Sequence, residues 1–195
     1  INSNLELIKD FSSNFLYTFL NFDQYGHRHS PVYVIFLSLF LDLGFDVDQV
    51  RLIHLHLSIS LVVIFYMCLK LKFKRINNNY LIALSLILFL SPTFRSLSIW
   101  PDSRLPGLTF FVLTIYFFLK FKKTSQFKYT WYTCVALIIS SYISPNFSIF
   151  FPYFLFFFLK KFKFLKLILL IFFNFLAALP MLYYIFILDV NFLIA

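Results

Sequence analysis

Charged residues and glycine are both scarce in this chain of 195 residues. Only 13% of the residues are Asp, Glu, Lys or Arg and three are glycines, whereas 61% are hydrophobic. Soluble domains contain about 25% charged and about 45–50% apolar residues, so this composition excludes an ordinary soluble domain. Long apolar runs in lipid must satisfy their own backbone hydrogen bonds, which a helix does within one segment. We therefore predict an all-α, polytopic transmembrane helical bundle.

Several kinds of site have no signature in the sequence. The two cysteines, Cys68 and Cys134, lie in separate apolar runs, so neither a disulfide nor a cysteine metal site is expected. The chain contains no P-loop, dinucleotide fingerprint, nucleophile elbow or zinc-ligand spacing. Apolar runs such as Leu165–Phe173 also lack the period-two alternation of a β-barrel. The candidates for function are therefore polar side chains in the loops.

The basic and acidic residues are separated along the chain. Of the 17 Lys and Arg residues, four lie in each of three loops, Lys70–Arg75, Lys120–Lys128 and Lys160–Lys166, and none of the eight acidic residues does. Cytoplasmic loops are the ones enriched in Lys and Arg, so these loops are predicted to be cytoplasmic and the acidic loops extracytoplasmic. The net charge of +9 is then a signal of topology, and no nucleic-acid partner is expected.

The apolar runs predict about six membrane spans over residues 49–188. These are Val50–Leu69, Tyr80–Leu97, Leu105–Leu119, Tyr129–Ser144, Ser148–Leu159 and Leu167–Leu188. Residues 1–48 are predicted to form an outer-face loop with interfacial helices. Within it, Asn4–Phe22 carries apolar residues at helical spacing among three charged ones and is expected to lie along the membrane surface. Pro31–Leu43 is short for a span and is expected to be a short or membrane-dipping helix on the same side.

A polar break, Ser98–Gly107, separates two of the apolar runs. One helix over residues 80–119 would be roughly 60 Å long, and the hydrocarbon core of a bilayer is about 30 Å thick. The chain must therefore turn here, and two prolines and a glycine supply the turn chemistry. The turn carries Asp102 and Arg104, and Asp102 is the only acidic residue between Asp48 and Asp189.

Polar residues that are candidates for chemistry gather on the predicted outer face. They are Asp23, His27, Arg28, His29, Arg51, Arg95, Asp102 and Arg104. Arginine binds phosphate oxygens through two parallel hydrogen bonds, and a carboxylate or an imidazole accepts a proton. Such a set suits an anionic headgroup that is held next to a general base.

Structural explanations remain open for the same residues. The histidines of residues 27–29 are equally consistent with a solvated loop. Arg51 and Arg95 lie near span ends, where arginine snorkels to the interface, and this is the preferred interpretation for Arg51. Asp102 and Arg104 are also consistent with an ion pair that only stabilises the turn.

Two further histidines, His54 and His56, lie inside a predicted span. Ionisable groups there are rare and face protein, so we expect both to be satisfied by neighbouring helices. The aromatic residues Trp100, Trp131 and Tyr142 suit interfacial belts or packing and are assigned no site.

Residues 29–33, His-Ser-Pro-Val-Tyr, follow the amphipathic outer segment and precede a span that begins near Arg51. This order resembles the GT-C superfamily of membrane glycosyltransferases. In its bacterial family 39 members, relatives of protein O-mannosyltransferases and of the lipid A aminoarabinose transferase, a first outer loop commonly ends in H-P-P-L-Y. His29, Pro31 and Tyr33 match that motif, while Ser30 and Val32 depart from it.

Two later features extend the resemblance over most of the chain. The family has a helix pair whose outer turn often carries an acid, and Asp102 occupies that place. A later span in the family is commonly broken by a T-K pair or similar before a proline. Ser144-Pro145-Asn146 lies at that point but lacks the lysine.

The resemblance implies a transferase that moves a sugar from a polyprenyl-phosphate donor to a lipid, glycan or protein acceptor. It implies a multi-pass protein of the bacterial inner membrane, with its site on the extracytoplasmic face and with membrane lipids as partners. The implied catalytic residues are Asp102 and His29, which would position the substrate or a divalent metal. The implied residues for the substrate or the donor phosphate are Arg95, Arg104, Arg28 and Tyr33. The main catalytic acid of the family falls upstream of Ile1, so we expect a fragment of a longer protein.

Two other classes of function are consistent with parts of the sequence. A non-enzymatic polytopic protein, such as a transporter or lipid flippase, is the main alternative. Transporter spans are often broken at glycine, and the chain has only three. A membrane scaffold or assembly factor explains the apolar composition but not the ionisable residues of the outer face.

Overall fold

The described part of the chain is entirely helical. The computed structural model describes residues 3–25 and 30–186, apart from the side chains of residues 3, 23 and 183–186, and contains no strand there. The α-helices are α1 (Ser3–Ser13), α2 (Phe15–Leu20), α3 (Val32–Asp42), α4 (Val47–Lys72), α5 (Asn78–Leu86), α6 (Pro92–Ile99), α7 (Arg104–Thr124), α8 (Phe127–Ile143), α9 (Phe151–Leu159) and α10 (Phe164–Phe186). The all-α prediction is confirmed for these residues.

Three helices are long and apolar enough to cross a membrane by themselves. They are α4 with 26 residues, α7 with 21 residues, and residues Phe164–Leu182 of α10. The pair formed by Asn78–Leu90 and α6 makes a fourth if it is one bent span. The other predicted spans correspond to shorter helices: α8 has 17 residues, and α9 has nine after the 3₁₀ turn Pro145–Phe150. The protein thus has the helices of a membrane protein, and three or four of them meet the length of a span.

The helical segment over the predicted span Tyr80–Leu97 is bent by 73°. The helix α5 passes into the 3₁₀ turn Ile87–Leu90, and Ser91 then adopts an extended conformation with φ −70° and ψ 120°. Pro92 has no N–H and disfavours helical geometry at the residue before it. The Ser91 hydroxyl accepts a hydrogen bond from the Phe94 N–H at 3.2 Å and so starts α6 in a new direction.

Helices α4 and α7 have acidic residues at their N-terminal ends and basic residues at their C-terminal ends. Asp46 and Gln49 form a capping box at the start of α4, and Lys70 and Lys72 lie in its last turn. Helix α7 likewise begins beside Asp102 and carries basic residues in its last turn. Acids at the N-terminal end and lysines at the C-terminal end both interact favourably with the helix dipole. The separation of charge along the sequence is therefore a separation in space along these two helices.

Helix α7 lies at the centre of the bundle, packed between α4 and α8. Its contact with α8 depends on Gly107, where a Cβ atom would lie 2.7 Å from Cβ of Ser144. The Ser140 hydroxyl donates a hydrogen bond to the Gly107 carbonyl at 2.8 Å across the same contact. Further along, Phe118 and Phe121 of α7 pack into a buried aromatic cluster with α8, α9 and α10.

Helices α1 to α3 form a layer beside the start of α4. Leu7, Ile8 and Phe11 are at most 2% exposed, and α1 packs against α3. The charged residues Glu6 and Lys9 lie on the exposed face of α1, so the amphipathic pattern predicted from the sequence is confirmed. The short helix α2 exposes four apolar side chains, Phe15, Leu16, Tyr17 and Leu20, by 50 to 67%. An exposed apolar surface of this kind suits contact with lipid.

Candidate functional site at the Asp102 turn

The turn between α6 and α7 holds the Asp102 carboxylate in a fixed position. Its Oδ1 atom accepts hydrogen bonds from the Arg104 backbone N–H at 2.8 Å and from Arg104 Nε at 2.9 Å. Its Oδ2 atom accepts from Arg104 Nη2 at 2.8 Å. The turn-stabilising ion pair that the sequence left open is therefore present, in the bidentate geometry that makes such pairs strong.

The two partners of this ion pair differ in exposure. The side chain of Asp102 is 12% exposed and that of Arg104 is 57% exposed. The carboxylate is thus enclosed by protein while the guanidinium faces outward. A guanidinium has five N–H donors, and the contacts with Asp102 occupy two of them, so an exposed part of the group is left to bind an anion.

Tyr33 and His54 form a buried hydrogen-bond chain beside the turn. The Tyr33 hydroxyl lies 2.6 Å from His54 Nδ1, and His54 Nε2 lies 2.7 Å from the carbonyl oxygen of Leu97. A carbonyl only accepts, so Nε2 carries a proton and donates, and Nδ1 of a neutral ring accepts from Tyr33. This tautomer satisfies all three groups. The prediction that His54 is satisfied by neighbouring helices is confirmed.

The Tyr33 hydroxyl remains a donor at physiological pH. Burial raises the pKa of the Tyr33 phenol above its ordinary value, and the negative charge of Asp102 raises it further. Tyr33 is 3% exposed, and its hydroxyl is engaged by His54. The geometry therefore favours Tyr33 as a residue that positions α3 against α4 near the turn.

His56 does not follow the expectation made for it. It is exposed, and its Nδ1 atom lies 2.7 Å from the Leu52 carbonyl oxygen of its own helix. The prediction that a neighbouring helix satisfies His56 is wrong, because two residues along a helix rotate the side chain away from the face that carries His54.

A second guanidinium lies close to the turn and was not assigned to the site from the sequence. The guanidinium carbon of Arg51 lies 4.7 Å from the ring centre of Trp100, two residues before Asp102. Arg51 also pairs with Asp48 at 3.1 Å, and its Nε atom is buried without a hydrogen-bond partner among the described residues. Arg51 thus makes a cation–π contact that the distance along the sequence concealed, and its interpretation as a snorkelling residue stays a prediction.

The predicted site residues are only partly brought together. Asp102, Arg104 and Tyr33 lie around the turn, whereas Arg95 is exposed on α6, whose buried face carries Phe94 and Ser98. The predicted residues His27, Arg28 and His29 lie outside the described residues. So does the Asp23 side chain.

A small cavity lies between the turn and helices α1 and α3. Its volume is about 20 Å³, and Asn4, Ser30, Tyr33, Pro101 and Ser103 are among its lining residues. Asn4 of α1 donates a hydrogen bond from Nδ2 to the Pro101 carbonyl at 2.7 Å. A cavity of that size holds about one water molecule. Helices α1 and α3 therefore cover the side of the turn that faces the helix bundle. The exposed side, where the Arg104 guanidinium lies, is left as the approach to the site.

A larger apolar cleft begins next to the turn. Its volume is about 400 Å³, and it lies between α3, α4, α7 and α8. The lining residues are Val32, Tyr33, Phe36, Leu57, Pro106, Phe110, Ile138, Ile139, Tyr142 and Ile143. Pro106 lines the cleft and lies in the first turn of α7, two residues after Arg104, so the cleft adjoins the turn although Arg104 itself does not line it.

The break Ser144-Pro145-Asn146 also lies close to the turn. Gly107 of α7 packs directly on Ser144, and Gly107 is one helical turn from Arg104. The packing of two small residues thus brings this break alongside the Asp102 turn. The sequence placed both features on the outer face but gave no sign of their contact.

The described side chains do not form a metal site. Residues 3–25 and 30–186 contain no group of three or more His, Cys, Asp or Glu side chains that could hold a metal ion. Asp102 itself is engaged by Arg104, and a cation beside it would compete with that guanidinium. The described surroundings of Asp102 therefore do not fit a divalent metal ion.

The exposed guanidinium, the enclosed carboxylate and the neighbouring apolar cleft suit an amphiphile with an anionic head. No protein-family model, no characterised protein and no solved structure matches this chain. The basis for assigning a function is therefore the site itself.

Proposed function

We propose that the chain belongs to a GT-C-like membrane glycosyltransferase that uses a polyprenyl-phosphate sugar donor at the extracytoplasmic face of the bacterial inner membrane. The observation that carries the proposal is the exposed guanidinium of Arg104, fixed by Asp102 in the first turn of α7, the helix that also forms one wall of an apolar cleft. A lipid-linked phosphate has the same two parts, an anionic head and an apolar chain. The family resemblance of residues 29–33 and of Asp102 supports the same assignment.

In this proposal, negative charge develops during the reaction on the phosphate group that Arg104 binds. An acceptor hydroxyl forms a bond to the anomeric carbon of the sugar, the bond between that carbon and the phosphate oxygen breaks, and the polyprenyl phosphate leaves. The proton of the acceptor passes to a carboxylate base, as the family resemblance implies. The free N–H groups of Arg104 stabilise the phosphate as its charge grows, which is the kind of interaction that accelerates a reaction.

Asp102 holds Arg104 in place for this role. Two hydrogen bonds fix the guanidinium to Asp102, and a third, from the Arg104 backbone N–H, fixes Asp102 to the start of α7, so little conformational freedom is lost when phosphate binds. Arg51, stacked on Trp100 and paired with Asp48, is a second guanidinium next to the turn. In this assignment Asp102 is a positioning residue.

The apolar cleft takes the first isoprene units of the donor. Its walls are Tyr33 and Phe36 of α3, Phe110 of α7, and Ile138 and Ile139 of α8. The polyprenyl chain enters the cleft from lipid rather than from water, so van der Waals packing against these walls supplies the attraction. The donor then binds through its chain and reacts at its phosphate.

One observation favours the non-enzymatic alternative. The Asp102 carboxylate is engaged at both oxygens by Arg104, as in a turn that needs no further function. In a transporter or lipid flippase the same guanidinium would bind a phosphate headgroup without cleaving it. Transfer of sugar therefore separates the two classes, whereas binding alone does not.

The test compares Arg104→Ala, Arg104→Lys and the control Arg75→Ala, which removes a positive charge from a basic loop. Membranes that contain the full-length protein are supplied with labelled polyprenyl-phosphate sugar, and both donor retention and transfer are measured. Loss of charged hydrogen bonds worth about 1.5–3 kcal/mol predicts that donor retention and transfer both fall roughly ten- to hundredfold in Arg104→Ala. Arg104→Lys should recover part of it, because lysine keeps the charge without the fork. Retention without any transfer by wild type would favour the flippase or transporter instead.

A further inference from the structure

A second cleft lies at the opposite, basic end of α7. Its floor is a single face of α7, formed by Phe111, Ile115, Phe118, Leu119 and Lys122. These residues follow a helical spacing, so their side chains form one stripe. The walls are the end of α4, with Cys68, Leu69, Lys72 and Phe73, and α9 with the turn before it, with Phe150, Tyr153 and Phe154. The volume of the cleft is about 520 Å³.

The stripe of α7 that forms the floor of the cleft is about as long as the hydrocarbon layer of one leaflet is thick. The stripe runs over twelve residues, from Phe111 to Lys122, and the eleven rises between them correspond to about 16 Å along α7. Half of a hydrocarbon core of about 30 Å is about 15 Å. Helix α7 is one of the helices long enough to span, so this stripe covers the half of its length that ends at the lysines.

Two lysines lie where the cleft meets the basic end of the helices. Lys72 and Lys122 both line it, and both are exposed. The Lys122 ammonium lies 4.4 Å from the ring centre of Phe157 and 5.2 Å from that of Phe118, which holds it at the edge of the cleft. Neither lysine forms an ion pair within residues 3–25 and 30–186. The cleft thus combines an apolar interior with unneutralised positive charge at one end.

We propose that this cleft binds an anionic phospholipid of the leaflet on the basic side of the protein. One acyl chain lies along the α7 stripe, and the phosphate group lies between Lys72 and Lys122. Basic residues at the mouth of a cleft between transmembrane helices favour anionic headgroups, and the match in depth favours an acyl chain. The site is at the other end of α7 from the Asp102 turn and does not depend on the sugar-transfer proposal.

The decisive comparison uses two double variants with the same change in charge. Lys72→Gln/Lys122→Gln removes the two lysines of the cleft. Lys74→Gln/Lys123→Gln removes two neighbouring lysines that do not line it. The full chain is reconstituted in nanodiscs of equal phosphatidylglycerol and phosphatidylcholine, extracted with mild detergent, and analysed for retained lipid by native mass spectrometry.

Wild type and the control should retain phosphatidylglycerol over phosphatidylcholine, and the cleft variant should lose this preference at least roughly fivefold. Equal preference in all three proteins would overturn the proposal. So would displacement of the lipid by millimolar glycerol phosphate, since a site for a free headgroup needs no acyl chain. Ile115→Trp, which fills the floor of the cleft and leaves both lysines, should also abolish retention. Unchanged retention by Ile115→Trp would exclude the cleft as the place of the chain.

Retention that disappears when the protein concentration is raised would indicate that a second copy covers the cleft. That outcome, seen as dimers in the same mass spectra, would also overturn the lipid assignment.

Discussion

At the scale of single residues, the buried hydrogen bond between Tyr33 and His54 links α3 to α4 beside the candidate site. His54 is fully buried, and its two ring nitrogens have one partner each. Removing one partner leaves a polar atom without water or protein to bond, which costs more than an average hydrogen bond contributes.

Tyr33→Phe tests this link. We expect the free energy of unfolding to fall by about 1–3 kcal/mol, because His54 Nδ1 loses the hydroxyl that donates to it while the ring volume at position 33 is kept. The measurement is reversible unfolding in mixed detergent micelles. Tyr17→Phe is the control, since Tyr17 is 58% exposed and its loss of a hydroxyl should change stability little. Equal stabilities of the two variants would contradict the role given to Tyr33.

Part of the site follows from the sequence and part does not. Asp102 and Arg104 are two residues apart at a turn, so their pairing was foreseeable from local geometry. The contacts of Tyr33 with His54 and of Arg51 with Trp100 join residues far apart in the chain. No local pattern encodes such contacts, because they arise only once α3, α4 and α6 have packed together.

At the scale of elements, apolar runs predicted most helices but not all of their ends. The run Val50–Leu69 became a helix that starts at Val47, because Asp46 and Gln49 cap it three residues earlier than the apolar pattern begins. The run Tyr80–Leu97 hid a bend, because hydropathy does not register the effect of Pro92 on the backbone of Ser91.

The contact between α7 and α8 gives a second prediction. Gly107→Ala places a methyl group 2.7 Å from Cβ of Ser144, closer than packed atoms approach each other. We expect a loss of roughly 1–3 kcal/mol in the free energy of unfolding, the usual cost of an overpacked contact. The same unfolding measurement applies here.

Ser144→Gly in combination should recover most of the stability lost in Gly107→Ala, since it removes the atom that clashes. A double-mutant cycle with the two single variants measures this recovery as a coupling energy. If the losses in free energy of unfolding of the two single variants simply add in the double variant, the two positions do not clash and this prediction is wrong.

At the scale of the whole molecule, charge gives the chain an orientation. Helices α4 and α7 pack together, and both are long enough to span a membrane. Each has acidic residues at its start and lysines at its end. The positive-inside rule then predicts that the basic ends are cytoplasmic and that the Asp102 turn faces outward.

Cysteine labelling tests this orientation. With Cys68 and Cys134 replaced by alanine, single cysteines are introduced at Asn146 and Lys123, which are both exposed. A membrane-impermeant maleimide added to intact cells should label position 146 and spare position 123. Labelling at 123 but not at 146 would invert the topology and remove the Asp102 turn from the outer face.

The measurement closest to the central claim is sugar transfer by Asp102→Asn. Asparagine keeps the shape and the capping hydrogen bond of Asp102 but removes the charge that holds Arg104. Asp46→Asn is the matched control, because it makes the same change at the cap of α4. With both variants inserted in membranes at equal amounts, we expect Asp102→Asn to transfer labelled sugar from polyprenyl phosphate roughly tenfold more slowly than wild type. Asp46→Asn should match wild type. Transfer at the wild-type rate by Asp102→Asn would contradict the account.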